Sequence, residues 1–305
     1  MNKKLAAIVF IILIGNTISC GSKKAVPDEA DTYDIIEVIP PTRAEQTIKS
    51  LALAYPDIIE KAEFHNDDWA VFMRGIWYFY AGGRILPENQ LENAANFRSY
   101  QFYNYPEELP PWAERTAEDA NRFSNWTTTR SQSQIRRSSF FLDALWQASN
   151  RAETERRLVR ISFLGRPTRV HQYIQGRMAL IETEIMSLAA ANAQIKTWID
   201  SLGTLEGYGW RNIADTQSRS YHSYGLAVDL LPRNLAGRQT YWLWTSQHRR
   251  DWWNVSYNER YHPPMQVIKI FESYGFIWGG KWPLFDTMHF EYRPEILIFN
   301  NMNVK

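Results

Sequence analysis

The sequence predicts an α+β fold in which a mainly helical region precedes a small antiparallel sheet at the C-terminus. Three observations carry this. Before Leu202, apolar residues recur near helical spacing, as at Val170, Tyr173, Ile174, Ile181, Ile185, Leu188 and Ile195. After Gly203 the pattern breaks into short strand-like segments at residues 226–231, 276–278 and 288–292, the first two preceded by glycine. The chain has 305 residues, 45% of them apolar and 22% charged, enough for a sizeable core.

The elements follow in order. Asn2-Lys3-Lys4 gives a positive start, and residues 5–14 are an unbroken apolar run, too short to span a bilayer. Gly15 and Asn16 break it, and the chain's one cysteine, Cys20, follows. The arrangement resembles a bacterial lipoprotein signal, with Thr17 where such signals usually have leucine. That resemblance implies a signal peptide over 1–19 and a lipidated Cys20. A polar tether over 20–43 then joins the body to a membrane surface. Gly21, not aspartate, comes next, which points to a periplasm-facing protein on the outer membrane.

From 44 to 202 the pattern predicts a helical region of unassigned role. Asp67-Asp68 reads as an acidic cap on a helix ending at Gly82-Gly83. Pro87, Pro106, Pro110 and Pro111 make the next stretch rich in loops. Residues 133–160 form a second helical stretch, and Pro167-Thr168 opens the longest helix. Within 203–305, strands are expected at 207–211, 226–231, 276–278 and 288–292, with a helix from Pro263 to Gly275.

Net charge is +1, with basic residues scattered among acids, so nothing draws the protein to nucleic acid. There are 13 Trp, 16 Tyr and 15 Phe, which implies a large aromatic core. Some of them are candidates to line a sugar-binding groove. The insertion at 233–262 carries Tyr241, Trp242, Trp244, Trp252, Trp253 and Tyr257, and reads either as a lid or as a self-packed loop.

The chemistry is concentrated in two segments, 220–229 and 286–291. His222, Asp229 and His289 offer two imidazoles and a carboxylate, a donor set that suits a catalytic Zn2+ with one open position. His222 and Asp229 are seven apart, which rules out one helix face. A strand carrying Ala227 and Asp229 with a bend at Gly225 can bring them together. Asp286 lies three residues before His289, placed to take a proton from water and pass it on. Glu291 is either a partner that orients an imidazole or a rival base. His65, His171, His248 and His262 lack such company and read as structural.

Ser220, His222, Gly225, Ala227 and Asp229, followed by Asp286 and His289, resemble the motif of the zinc D-alanyl-D-alanine carboxypeptidases and L-alanyl-D-glutamate peptidases, a group related to the hedgehog domain. The aspartate at 286 and the run 276–282 match its endolysin-like branch. The resemblance covers 203–305 and implies a zinc peptidase domain there, acting on peptidoglycan stem peptides. It also implies an arginine upstream of the first ligand that steadies the oxyanion, either Arg211 or Arg219. The hedgehog relationship leaves a wall-binding protein without catalysis as the alternative.

Overall fold

The computed structural model describes residues 41–305 apart from residue 101. The expected signal peptide, Cys20 and the tether through residue 40 lie outside the described residues. Thr42 caps α1 (Arg43–Ala54), its side chain accepting from the Glu45 amide, and the helix buries Ile48, Leu51 and Ala54. The helix expected after Asp67 is instead a β-meander: β1 (Lys61–His65), β2 (Asp68–Met73), β3 (Ile76–Phe79) and β4 (Leu86–Pro87), all antiparallel. The reason is local. Asn66 and Asp67 have φ of 45° and 66°, and Arg74 and Gly75 have 52° and 78°. Two central residues at positive φ are the mark of the tight hairpin turns whose twist matches the flanking strands. Asp67 is a turn residue, not a helix cap.

β5 (Phe97–Arg98) reaches forward to pair in parallel with β6 (Arg136–Arg137). Between them lies α2 (Ala117–Gln132), with a capping box formed by Thr116 and Asp119. The sequence hid this helix because Phe123 is its one buried residue. The 133–160 stretch resolves into α3 (Phe140–Trp146), α4 (Arg151–Glu155) and the start of β7 (Leu158–Phe163). The long helix expected from Pro167 begins as a strand, β8 (Arg166–His171), hairpinned to β7 through Leu164 and Gly165 at φ 48° and 75°. It continues as α5 (Gln175–Ala191) and α6 (Ala193–Ser201), parted at Asn192, whose side chain caps the second.

The C-terminal sheet follows the expected outline. β9 (Leu202–Glu206) and β10 (Ala227–Pro232) are antiparallel neighbours. After α7 (Trp242–Ser246) and α8 (Met265–Ser273) come β11 (Phe276–Trp278), β12 (His289–Tyr292) and α9 (Pro294–Phe299). The order across the sheet is β11-β12-β10-β9. Residues 207–211 are irregular, where a strand was expected. Residues 41–305 are one compact unit. Its main core runs from Ile48 and Leu51 through Trp146 and Ile181 to Val228, Phe290 and Leu297, so the first and last thirds share one interior. A smaller apolar cluster joins Phe123 of α2 to Trp242 and Val255 of the insertion and to Leu284 and Phe285. No helix of the described residues is long and apolar enough to cross a membrane.

Candidate active site

The sheet register sets the site. Across β10 and β12, Asp229 lies opposite His289 and Ala227 opposite Glu291, which puts all four side chains on one face. His222 arrives from a short 3-10 turn, Tyr221–Tyr224, closed by Gly225 at φ 71°. The Ser220 hydroxyl accepts from the His222 amide and so shapes this turn without touching the other site residues. A Cβ on Gly225 would stand 2.7 Å from Leu158 Cδ2 and 2.8 Å from the His171 nitrogen. Both the left-handed backbone and the close neighbours demand glycine. Gly225→Ala is therefore expected to cost about 2–4 kcal/mol in urea unfolding and to weaken metal retention by displacing His222.

Three ligand atoms converge. His222 Nε2 lies 3.1 Å from Asp229 Oδ1 and 3.2 Å from His289 Nδ1, and His289 Nδ1 lies 2.8 Å from Asp229 Oδ1. All three residues are buried, and together they could hold a metal ion. The donors fit one. Ligands of a tetrahedral ion such as zinc, at ~2.0–2.1 Å, stand roughly 3.3 Å apart. The outer nitrogens fix the tautomers: His222 Nδ1–H donates to the Gly207 carbonyl at 2.5 Å, and His289 Nε2–H donates to Glu291 Oε2 at 3.2 Å. Each ring is thus left with a lone pair aimed at the common point. Burial alone pushes the Asp229 carboxyl up, but the charges and hydrogen bonds of His222 and His289 outweigh it and hold it well below the usual range.

Glu291 engages the far nitrogen of His289 and Arg293 Nη1 at 3.3 Å. Arg293 also pairs with Glu295, which accepts from Tyr55 at 2.5 Å and from Tyr100 at 3.0 Å. A buried polar chain therefore runs from His289 to α1 and to the segment after β5. Glu291 sits where an orienting partner belongs, on the side of the ring away from the shared point.

Asp286 stands on the loop before β12, its amide bonded to the Gly279 carbonyl at 3.0 Å. Its Oδ1 is buried with no hydrogen-bond partner. Burial, opposed by His289 and reinforced by the Asp229 charge, pushes the carboxyl up to about 8. A cation at the triad would pull it back down.

The two candidate arginines part company. Arg211 is half exposed, with Nη2 3.8 Å from Asp229 Oδ2 and Nη1 3.5 Å from Glu206. Arg219 is committed elsewhere: it pairs with Asp143 at 2.7 Å, donates to the Ala148 carbonyl, and lies between the rings of Trp210 and Tyr224. Arg211→Ala is expected to lower kcat about 100-fold with metal content unchanged. Arg219→Gln is expected to cost about 1–3 kcal/mol of stability and leave kcat of the folded fraction alone. Steady-state kinetics beside thermal unfolding separates the two.

A cavity of about 530 Å3 opens beside Asp286 and Glu291. One wall comes from the N-terminal third, with Tyr80, Tyr100 and Tyr103, and another from Tyr241 and Trp242 of the 233–262 insertion. The insertion packs through the smaller apolar cluster and supplies part of the cavity wall. Trp126, Arg130 and Arg137 also line it. These three had no signal in the sequence, because distant segments meet here through the tertiary fold alone. His65 stacks on Trp77, and His171 Nε2 lies 3.2 Å from the Trp146 carbonyl, so both are occupied outside the site.

Residues 214–292, which hold His222, Asp229, Asp286 and His289, match the family model of D-alanyl-D-alanine carboxypeptidase, and this part of the chain is similar to that family. Residues 47–102 match a model described as a domain of unknown function. No curated protein and no solved structure matches the chain.

Proposed function

We propose that this protein is a zinc-dependent peptidase that hydrolyses an amide bond of peptidoglycan stem peptides, held to the outer membrane through a lipidated Cys20 and facing the periplasm. The observation that carries the reading is the convergence of His222 Nε2, His289 Nδ1 and Asp229 Oδ1, together with Asp286, whose buried Oδ1 has no partner and which lines a cavity. The match of residues 214–292 to the carboxypeptidase family model supports it.

His222, Asp229 and His289 would hold the ion, which when bound polarises a scissile carbonyl and acidifies water. Gly207 and Glu291 keep the two imidazoles turned inward. Asp286 accepts the proton of the attacking water on its free oxygen and returns it to the leaving amine. Arg211 lends positive charge as the carbonyl oxygen becomes anionic. The aromatic walls exclude water and seat the peptide.

The test uses the full chain, loaded with zinc, on defined muropeptides with mass-spectrometric readout. Loss of a terminal D-alanine, or a cut within the stem, that disappears on chelation identifies the bond. Intact substrate with bound zinc and native fold would overturn the peptidase reading, and retention on sacculi would then favour a wall-binding protein.

A further inference from the structure

Asp286 and Glu291 line the cavity, and so do three arginines, of which Arg43 donates to the Phe102 carbonyl at 2.7 Å and lies over the Phe299 ring. Arg137, on β6, is 9% exposed, and its Nη2 reaches the Arg219 carbonyl at 3.4 Å. Arg130, in the last turn of α2, reaches the Ala214 carbonyl at 3.4 Å, and its Nε is buried with no partner. Neither makes an ion pair with a carboxylate among the described residues. A guanidinium has five N–H donors, so most of the hydrogen-bonding capacity of this pair is unspent.

Two cations lining one cavity repel each other and lose hydration, a cost normally offset by an anion in contact. The protein's own acids at the cavity do not serve. Glu291 feels the Arg137 charge but gives its hydrogen bonds to His289 and Arg293, and Asp286 has an oxygen with no partner at all. Both arginines are nonetheless held in place: β6 by its pairing with β5, and α2 by Phe123 in the smaller apolar cluster. A planar carboxylate, which accepts paired N–H bonds from guanidinium, is the chemistry that fits. Neither residue lies within the segment that matches the carboxypeptidase model.

We propose that Arg130 and Arg137 form a carboxylate-binding subsite that fixes a peptide in the cavity through one of its carboxylates and thereby selects which amide bond reaches Asp286. The choice of bond rests on the peptidase reading; the binding of a carboxylate does not.

The probe is the pentapeptide L-Ala-γ-D-Glu-L-Lys-D-Ala-D-Ala, which carries one carboxylate at its C-terminus and one on the glutamyl α-carbon. Its affinity for the zinc-free full chain is read from tryptophan fluorescence, so that turnover does not intervene. Versions amidated at either carboxylate, or at both, identify which one is held. Amidation of the one that is held is expected to weaken binding roughly 10- to 100-fold. Arg130→Gln and Arg137→Gln should bind the free acid no better than that amide, and Arg137→Lys should recover part of the difference. Arg136→Gln, a change at the exposed neighbour that does not line this cavity, should behave as wild type. The subsite is overturned if the doubly amidated peptide binds as well as the acid, if the glutamine variants discriminate as wild type does, or if no form of the peptide binds. Cleavage by the zinc-loaded protein without carboxylate discrimination sinks the subsite alone, and discrimination without cleavage sinks the peptidase reading alone.

Discussion

Asp286→Asn is expected to lower turnover of a stem peptide by about 10²- to 10⁴-fold while zinc content stays at the wild-type level. Asparagine keeps the size and polarity of the side chain but cannot take a proton from water. Asp286 is not among the three convergent ligands, so the metal should be retained. Glu291 cannot stand in, because its carboxylate faces the outer nitrogen of His289 and Arg293. The same substitution should stabilise the metal-free protein. Its carboxyl is raised from the ordinary 3.8 to about 8, chiefly by burial. Below about pH 4 both the folded and unfolded chains hold the proton, and the group contributes nothing. Between there and about pH 8 the unfolded chain ionises while the folded one resists, so wild-type stability falls as pH rises. Asparagine has no such penalty. The metal-free variant should melt about 2–4 °C above wild type near pH 7.5, with the gap closing below pH 4. A variant that is inactive and also less stable at pH 7.5 would count against a proton-transfer role.

The parts of this molecule that the sequence made readable are those whose signal is local. β10, β12, α8 and the turn at Gly225 show themselves through short apolar runs, proline at a helix start and glycine at a bend. The three converging residues, His222, Asp229 and His289, could be picked because their residue types and order are unusual together. The N-terminal third misled, because helix and strand differ there by its turns. Asp67-Asp68 looks like a helix cap until the tight hairpin turn at Asn66-Asp67 is recognised, and further along the turn at Leu164-Gly165 has the same effect before Pro167. α2 was missed because one buried residue, Phe123, leaves no periodic stripe. Arg130, Arg137, Tyr103 and Trp126 were beyond reach for a different reason. They share a cavity lining with Asp286 only through the tertiary fold, and no spacing along the chain encodes that. What separates Arg211 from Arg219 is likewise tertiary: Asp143 and Ala148 engage the second of them, while the first stands near Asp229.

His289→Ala is expected to reduce bound zinc from one equivalent to little or none at micromolar metal, and peptidase activity to background. The substitution leaves two protein ligands where a catalytic zinc site has three. It also deprives Asp229 and Glu291, both buried, of one of the two side chains that bond each of them. In the metal-free protein, burial pulls His289 down, but its bonds to Asp229 and Glu291 outweigh this and raise it well above its ordinary 6.5. The stability it brings is therefore fully present below pH 6.5 and is lost as pH rises through the raised folded value. Removing the ring should cost the metal-free protein about 3–5 kcal/mol at pH 6, with a smaller effect in alkali. Zinc competes for the same inner nitrogen, so wild-type metal affinity should climb with pH and binding should release protons. Calorimetry in buffers of different ionisation enthalpy measures that release. Proton release in wild type, with neither release nor binding in His289→Ala, ties the metal to this nitrogen. Undiminished zinc binding by the variant would remove His289 from the ligand set and leave Asp286 with no activated water to serve.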